Sequence, residues 1–171
     1  ARKVHWSGGV ESIGPCEVES IHVNQSIPDA MGLAIRGDFG CVAHPGDFKI
    51  DPTPFEGRPP DLEAFARCRG ATALLSDSTN AERAGTTPSE TEVGRTLREL
   101  ILAARGRVIV SMFASHLIRL QQLIEIAAES NRKLVVQGRS MVENQCIGSE
   151  LGMLRGASAV AVAADQLGAL A

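Results

Sequence analysis

The residues able to do chemistry in this chain follow apolar runs. Ser76-Asp77-Ser78-Thr79-Asn80-Ala81-Glu82-Arg83 comes directly after Ala71-Thr72-Ala73-Leu74-Leu75. Its acid, amide and hydroxyls therefore sit where a buried strand should surface, and strand ends are where α/β proteins hold ligands. The structural alternative is a polar turn in which Asp77 caps a helix. Asp47, in Pro45-Gly46-Asp47-Phe48-Lys49 after another extended run, has the chemistry of a metal ligand or a general base, although an Asx-turn is the commoner reason for Gly-Asp. His44 beside it is either a ligand or a core histidine satisfied by one hydrogen bond. His5, His22 and His116 show no His-x-His or His-Glu-x-x-His spacing, so spacing alone describes no zinc site.

Three segments offer a different chemistry. Ser76–Asn80, Phe113-Ala114-Ser115-His116 and Gly138-Arg139-Ser140 each carry a hydroxyl just ahead of a helical pattern, and two add a basic or titratable side chain. Helix amino termini expose free N–H groups and partial positive charge, so such an edge can hold a phosphate or nucleotide. Taken singly, Ser115 and Ser140 are more simply explained as N-caps. Between Arg98 and Arg139, seven basic side chains stand against three acidic ones, a local surplus able to meet phosphates or, alternatively, to decorate solvated ends.

The elements that must position these residues change character along the chain. Val18 to Val23 alternates, and Met31–Ile35 and Cys41–Ala43 flank Arg36-Gly37-Asp38-Phe39-Gly40, a hairpin pattern. Pro52, Pro54, Pro59 and Pro60 describe a surface connection. Asp61 then caps a short helix from Leu62 to Arg67. After Gly85, Ser89-Glu90-Thr91-Glu92 reads as a capping box, with Val93, Leu97, Leu100, Ile101 and Ala104 at helical spacing. Val108-Ile109-Val110 and Leu134-Val135-Val136 read as buried strands. A helix over Ser115–Ser130, with Leu117, Leu120, Ile124 and Ala127 inward, and another from Ser140 to about Leu151 alternate with them. That alternation predicts a doubly wound parallel layer. Ala157–Ala163 alternates weakly, as a last strand or a poorly ordered tail.

The 171 residues, 44% hydrophobic and 22% charged with net charge −3, suit a soluble chain with one ordinary core or pieces of two. Cys16, Cys41, Cys68 and Cys146 form no Cys-x-x-Cys pair, which predicts free thiols in a reducing compartment, cytoplasmic or organellar and not secreted.

Several of these segments together resemble one family. Ser26-Ile27-Pro28-Asp29, Gly46-Asp47-Phe48-Lys49, Leu75-Ser76-Asp77-Ser78-Thr79-Asn80-Ala81-Glu82, Phe113-Ala114-Ser115, Arg119-Leu120-Gln121-Gln122 and Gly138-Arg139-Ser140-Met141 are similar, in order and spacing, to ribonuclease J, a metallo-β-lactamase nuclease carrying a β-CASP domain. The resemblance implies an α/β fold: a segment of a metallo-β-lactamase αββα sandwich over 1–80, followed by the first half of a β-CASP parallel α/β layer over 81–171. It implies RNA as substrate, hydrolysed with two divalent metal ions, zinc or manganese. Asp47 matches the family's bridging metal ligand and Asp77 its β-CASP acidic motif. Ser115, His116, Gly138, Arg139 and Ser140 fall where RNA phosphate is bound. Asp77 is expected at the junction of the two parts, facing Asp47 across it.

The departures from the family pattern carry as much weight. Gln25 stands where the family has a metal-binding histidine, Pro45 where it usually has threonine, and Ile118 where it has a β-CASP histidine. His116 does not replace the last, since two residues along a helix turn the side chain by about 200°. The family's His-x-His-x-Asp-His motif would precede Ala1, and its last histidines would follow Ala171. The resemblance thus describes a ribonuclease J-like hydrolase in a partial chain inactive alone, completed by the missing remainder of the fold or by other protein chains. The alternative is an inactive paralogue serving as an RNA-binding or structural subunit of an RNA-processing complex.

Overall fold

In the computed structural model residues 9–169 are described, so His5, Ala1 and Ala171 lie outside the described residues. The alternating runs of the opening third form antiparallel strands β1 (Gly9–Ile13), β2 (Cys16–His22), β3 (Met31–Gly37) and β4 (Gly40–Gly46). Tight connections set the register: Ile13 faces Cys16, and Gly37 faces Gly40 across Asp38-Phe39. Because each strand pairs with its neighbour in sequence, little loop entropy opposes the ladders.

Helix α1 (Leu62–Ala66) starts at Asp61, whose carboxylate accepts the Ala64 N–H at 2.9 Å. It presses Ala64 and Phe65 against Ile21, Ala34 and Ala43. This packing dictates Gly32, where a Cβ would stand 2.7 Å from the Cα of Pro45 and 3.0 Å from the Phe65 ring. Strand β5 (Ala73–Ser76) then pairs in parallel with β4, completing the order β1-β2-β3-β4-β5. The strand expected before Ser76 is therefore present but not buried. Leu74 and Leu75 are 64% and 55% exposed, because β5 is one of the two edges of the sheet, bonded to β4 alone.

The later residues are built around one helix. Between α2 (Glu90–Ala103) and α4 (Arg139–Glu150) runs α3 (Leu117–Glu129). Leu117, Leu120, Ile124 and Ala127 pack with Leu154, Ala157 and Val160, while Leu123 and Ile126 meet Ile101. Apolar residues on more than one side make α3 a core helix. Its two glutamines are buried and bonded: Gln121 accepts the Arg155 N–H at 2.7 Å, and Gln122 donates to the Glu90 carbonyl at 2.7 Å. They tie α3 to the segment after α4 and to the start of α2. Strand β6 (Leu134–Val135) pairs in parallel with β7 (Ala161–Val162), which follows the short α5 (Ala157–Val160).

Several expectations are corrected. Val108-Ile109-Val110 forms no strand, and these residues are 38%, 88% and 38% exposed. A parallel strand needs ladder partners from across a crossover, and among the described residues this run has none. A cavity of about 860 Å³ lies there instead, lined by Val108, Val110, Leu120, Leu123, Leu134 and Val136 among others. The Ala157–Ala163 segment is mostly helix, with only two residues in β7. Leu100 points outward, 64% exposed. Ser89 does cap α2, accepting the Thr91 N–H at 3.2 Å.

The chain divides into two compact units, one holding the described residues to Gln25 with Asp29–Thr87, the other Ser26–Pro28 with the residues from Pro88 onward. Asp47 and Asp77 consequently belong to the same unit and do not face each other across the junction. Among the described residues no helix is long and apolar enough to cross a membrane.

Candidate functional site

In the first unit, strand pairing brings the two aspartates together. Gly46 on β4 is in register with Ser76 on parallel β5, so Asp47 and Asp77 are the next residues off two adjoining strand ends, at one edge. Strands in a ladder are about 4.8 Å apart. The sheet therefore starts both residues from neighbouring strand ends, and both are exposed.

The two carboxylates differ in how they are held. One Asp77 oxygen accepts both the Thr79 hydroxyl at 2.6 Å and the Thr79 N–H at 2.9 Å. These bonds, the hydroxyl's foremost, hold its carboxyl below the usual carboxylate range. No helix follows, so Asp77 is the head of a polar turn and not a helix cap. Next to Asp47, His44 accepts the Gly46 N–H on Nδ1 at 2.9 Å, which shapes the bend out of β4.

A polar platform underlies this edge. The Lys49 N–H donates to the Asn24 carbonyl at 2.8 Å in an isolated antiparallel bridge, which brings Gln25 alongside the segment that carries Asp47. The Asn24 amide donates to the Arg58 carbonyl at 2.9 Å, and His22 Nε2 lies 3.3 Å from the same oxygen. Asp51, 1% exposed, accepts the Thr53 N–H at 3.0 Å and stands 3.7 Å from the Lys49 ammonium. Sequence reasoning missed Asn24 and Asp51. Their signal was the alternation itself, since Asn24 continues the face of His22 and Asp51 that of Lys49.

A two-metal centre needs several nitrogen ligands around a bridging carboxylate. Among the described residues no three His, Cys, Asp or Glu side chains converge. Gln25 offers an amide in place of imidazole, His44 Nδ1 is taken by Gly46, and one Asp77 oxygen is taken by Thr79. The donor set present does not fit a pair of zinc or manganese ions.

In the second unit, the remaining candidates gather at the helix starts. The N-cap of α3 is His116, not Ser115: its Nδ1 accepts the Arg119 N–H at 3.2 Å, and Nε2 lies 3.7 Å from Glu90. Glu90 also accepts Arg119 at 2.6 Å. The N-cap of α4 is Gly138, not Ser140, in a left-handed conformation (φ 104°) that a side chain would strain. No side chain caps this start, and its first two residues, Arg139 and Ser140, are both exposed. Asn144 on α4 donates to the Ala114 carbonyl at 2.9 Å, tying α4 to the segment that carries Ser115. Hydroxyls, open amides and a guanidinium there suit an anion.

The basic surplus is partly consumed by structure. Arg98 pairs with Glu129, Arg132 donates to the Ala104 and Gly106 carbonyls, and Lys133 donates to Ala159 at 3.3 Å. Arg105, Arg107 and Arg139 remain exposed.

Comparison with known proteins bears on both units. Residues 105–171 match the family described as the ribonuclease J β-CASP domain. Ribonuclease J of Mycolicibacterium smegmatis is 47% identical over 144 residues, covering 83% of this chain and 26% of the relative. That of Corynebacterium glutamicum is 42% identical over 163 residues, 94% of this chain and 23% of the relative. That of Helicobacter pylori strain J99 is 44% identical over 145 residues, 84% of this chain and 21% of the relative. The chain thus spans about a quarter of the length of the curated relatives it matches. A crystal structure of a protein of unknown function from Enterococcus faecalis V583 matches with a TM-score of 0.57 at 17% identity, over 94% of this chain and 40% of that one. At that identity the likeness concerns the fold alone.

Proposed function

This chain is homologous to a segment of ribonuclease J, and on that premise we propose that it serves RNA phosphodiester hydrolysis of that type as a partial catalytic chain inactive alone. The first unit is read as a segment of a metallo-β-lactamase sandwich, and the second as the opening part of the β-CASP layer. The observation that carries the proposal is the parallel register of Gly46 with Ser76, which sets Asp47 and Asp77 on adjoining strand ends. Asp47 is the carboxylate open to orient an attacking water or accept its proton. Asp77, tied to Thr79, supplies fixed negative charge beside it. In the second unit Ser115, His116, Gly138, Arg139 and Ser140 line the edge that grips RNA phosphate, His116 by holding the start of α3.

The divalent metal that accompanies this chemistry in the family has to draw on ligands beyond the described residues. A second reading, an inactive RNA-binding subunit, is favoured by Gln25 in the place of a nitrogen ligand. One experiment separates the two readings: cleavage and binding of a 5′-monophosphorylated RNA, with and without manganese or zinc, by the chain alone and with added ribonuclease J lacking this segment. Cleavage restored only by the mixture, and lost with Asp47→Asn, supports the hydrolase reading. RNA binding without cleavage in every combination supports the subunit. Failure to bind RNA at all would sink both.

A further inference from the structure

Two of the four cysteines are brought together by the fold. Cys41 on β4 lies opposite Arg36 on β3, and facing residues of an antiparallel pair project to the same side. The Arg36 guanidinium donates to the Cys68 sulfur at 3.7 Å, so one cation stands over both thiols. Cys41 packs against the core formed by Ile21, Ala34, Ala43, Ala64 and Cys68. Backbone bonds fix the approach: the Thr72 N–H donates to the Cys41 carbonyl at 2.7 Å and the Ala71 N–H to the Cys68 carbonyl at 2.9 Å. The turn after α1 is thereby laid along β4, with Cys41 packed on the same buried cluster that holds Cys68 and on the strand face that carries Arg36.

We propose that Cys41 and Cys68 form a redox-sensitive dithiol that a peroxide converts into a disulfide between β4 and the end of α1. The environments divide the roles. Cys41 is half-buried and within reach of a small oxidant, whereas Cys68 is 7% exposed. Burial first, and then Cys41, pushes the Cys68 thiol up, against the opposing influence of Arg36. Cys41 is therefore the residue oxidised first, and Cys68 resolves it.

The Cys41 sulfur attacks one peroxide oxygen, the O–O bond breaks, and hydroxide leaves with the thiol proton as water, giving a sulfenic acid. The Cys68 sulfur then attacks the Cys41 sulfur, the S–O bond breaks, and hydroxide leaves with the second thiol proton as another water. Both sulfurs are oxidised and the peroxide is reduced to two waters. The bond closes the loop that holds Asp47 and the proline-rich connection, and so restrains the strand end on which Asp47 sits.

The test treats the folded full chain with hydrogen peroxide, alkylates remaining thiols and maps peptides by mass spectrometry. The expected product links the Cys41 and Cys68 peptides, two hydrogens lighter and reversed by dithiothreitol, with Cys16 and Cys146 still alkylated. In Cys68→Ser the link is lost, and Cys41 accumulates a dimedone-reactive sulfenic acid. Alkylation of both Cys41 and Cys68 at a peroxide dose that oxidises the exposed Cys146 would overturn the proposal. So would preferential linkage of either to Cys16 or Cys146, or a Cys41–Cys68 link that forms only in denaturant.

Discussion

The two units solve the same problem, satisfying strand backbones, with unequal success. In the first, four strands meander and each finds its partner a few residues away, so the sheet completes itself, with β1 and the parallel β5 exposed as its two edges. In the second, parallel pairing depends on partners separated by whole helices. Leu134–Val135 reaches Ala161–Val162, while Val108–Val110 reaches nothing among the described residues. The lesson is that local antiparallel pairing survives on little chain, whereas a parallel layer draws its order from distant segments. In the second unit the core is accordingly helical and centred on α3.

Breaking each unit at its own centre gives the largest effects. Ile124→Ala removes the most buried side chain of α3 and should cost about 3 kcal/mol. Hydrogen exchange should show protection lost in the residues after Pro88 and kept in β2–β4. Next comes Gly32→Ala, which forces a Cβ against Pro45 and Phe65 and should cost about 2 kcal/mol, measured by urea unfolding followed through the first unit. Smaller still is Glu19→Gln, about 1 kcal/mol. Glu19 accepts Arg67 at 2.6 Å and Arg36 at 2.7 Å, and these bonds, Arg67's foremost, hold its carboxyl below the usual carboxylate range.

The sign of the pH dependence follows from that lowered value. A carboxyl depressed in the folded state stabilises above its unfolded pKa, and the gain is lost as pH falls through the folded value. Thermal midpoints of wild type and Glu19→Gln should therefore differ at neutral pH and converge in acid below the ordinary carboxylate range. The smallest effect belongs to the unpaired run. Ile109→Lys should leave stability within about 0.5 kcal/mol, yet reduce binding of a hydrophobic dye, because Ile109 is 88% exposed. A wild-type chain that binds no such dye would show that the contrast between the units is wrong.

Much of the local structure was legible beforehand. The Asp61 and Ser89 caps, the hairpin at Asp38-Phe39 and the inward row Leu117, Leu120, Ile124 and Ala127 all follow from spacing within one or two turns of chain. The site was legible only as residue types. Ser115 and Ser140 were equally good caps on paper, yet His116 and Gly138 hold those positions, because a cap is chosen by where the backbone leaves the helix and the side chain only answers to it.

What the sequence determined alone was the alternation of strands, then helices, and the chemistry each strand end carries, since periodicity, caps and turn residues act over a few bonds. Tertiary structure decided what lies beside what. The Gly46–Ser76 register sets Asp47 and Asp77 on adjoining strand ends, Arg36 gathers Cys41 and Cys68, and Val108–Val110 is left without a ladder among the described residues. Each of those outcomes depends on pairing between segments far apart in the chain, where the closure entropy and the available partners, not local propensity, set the result.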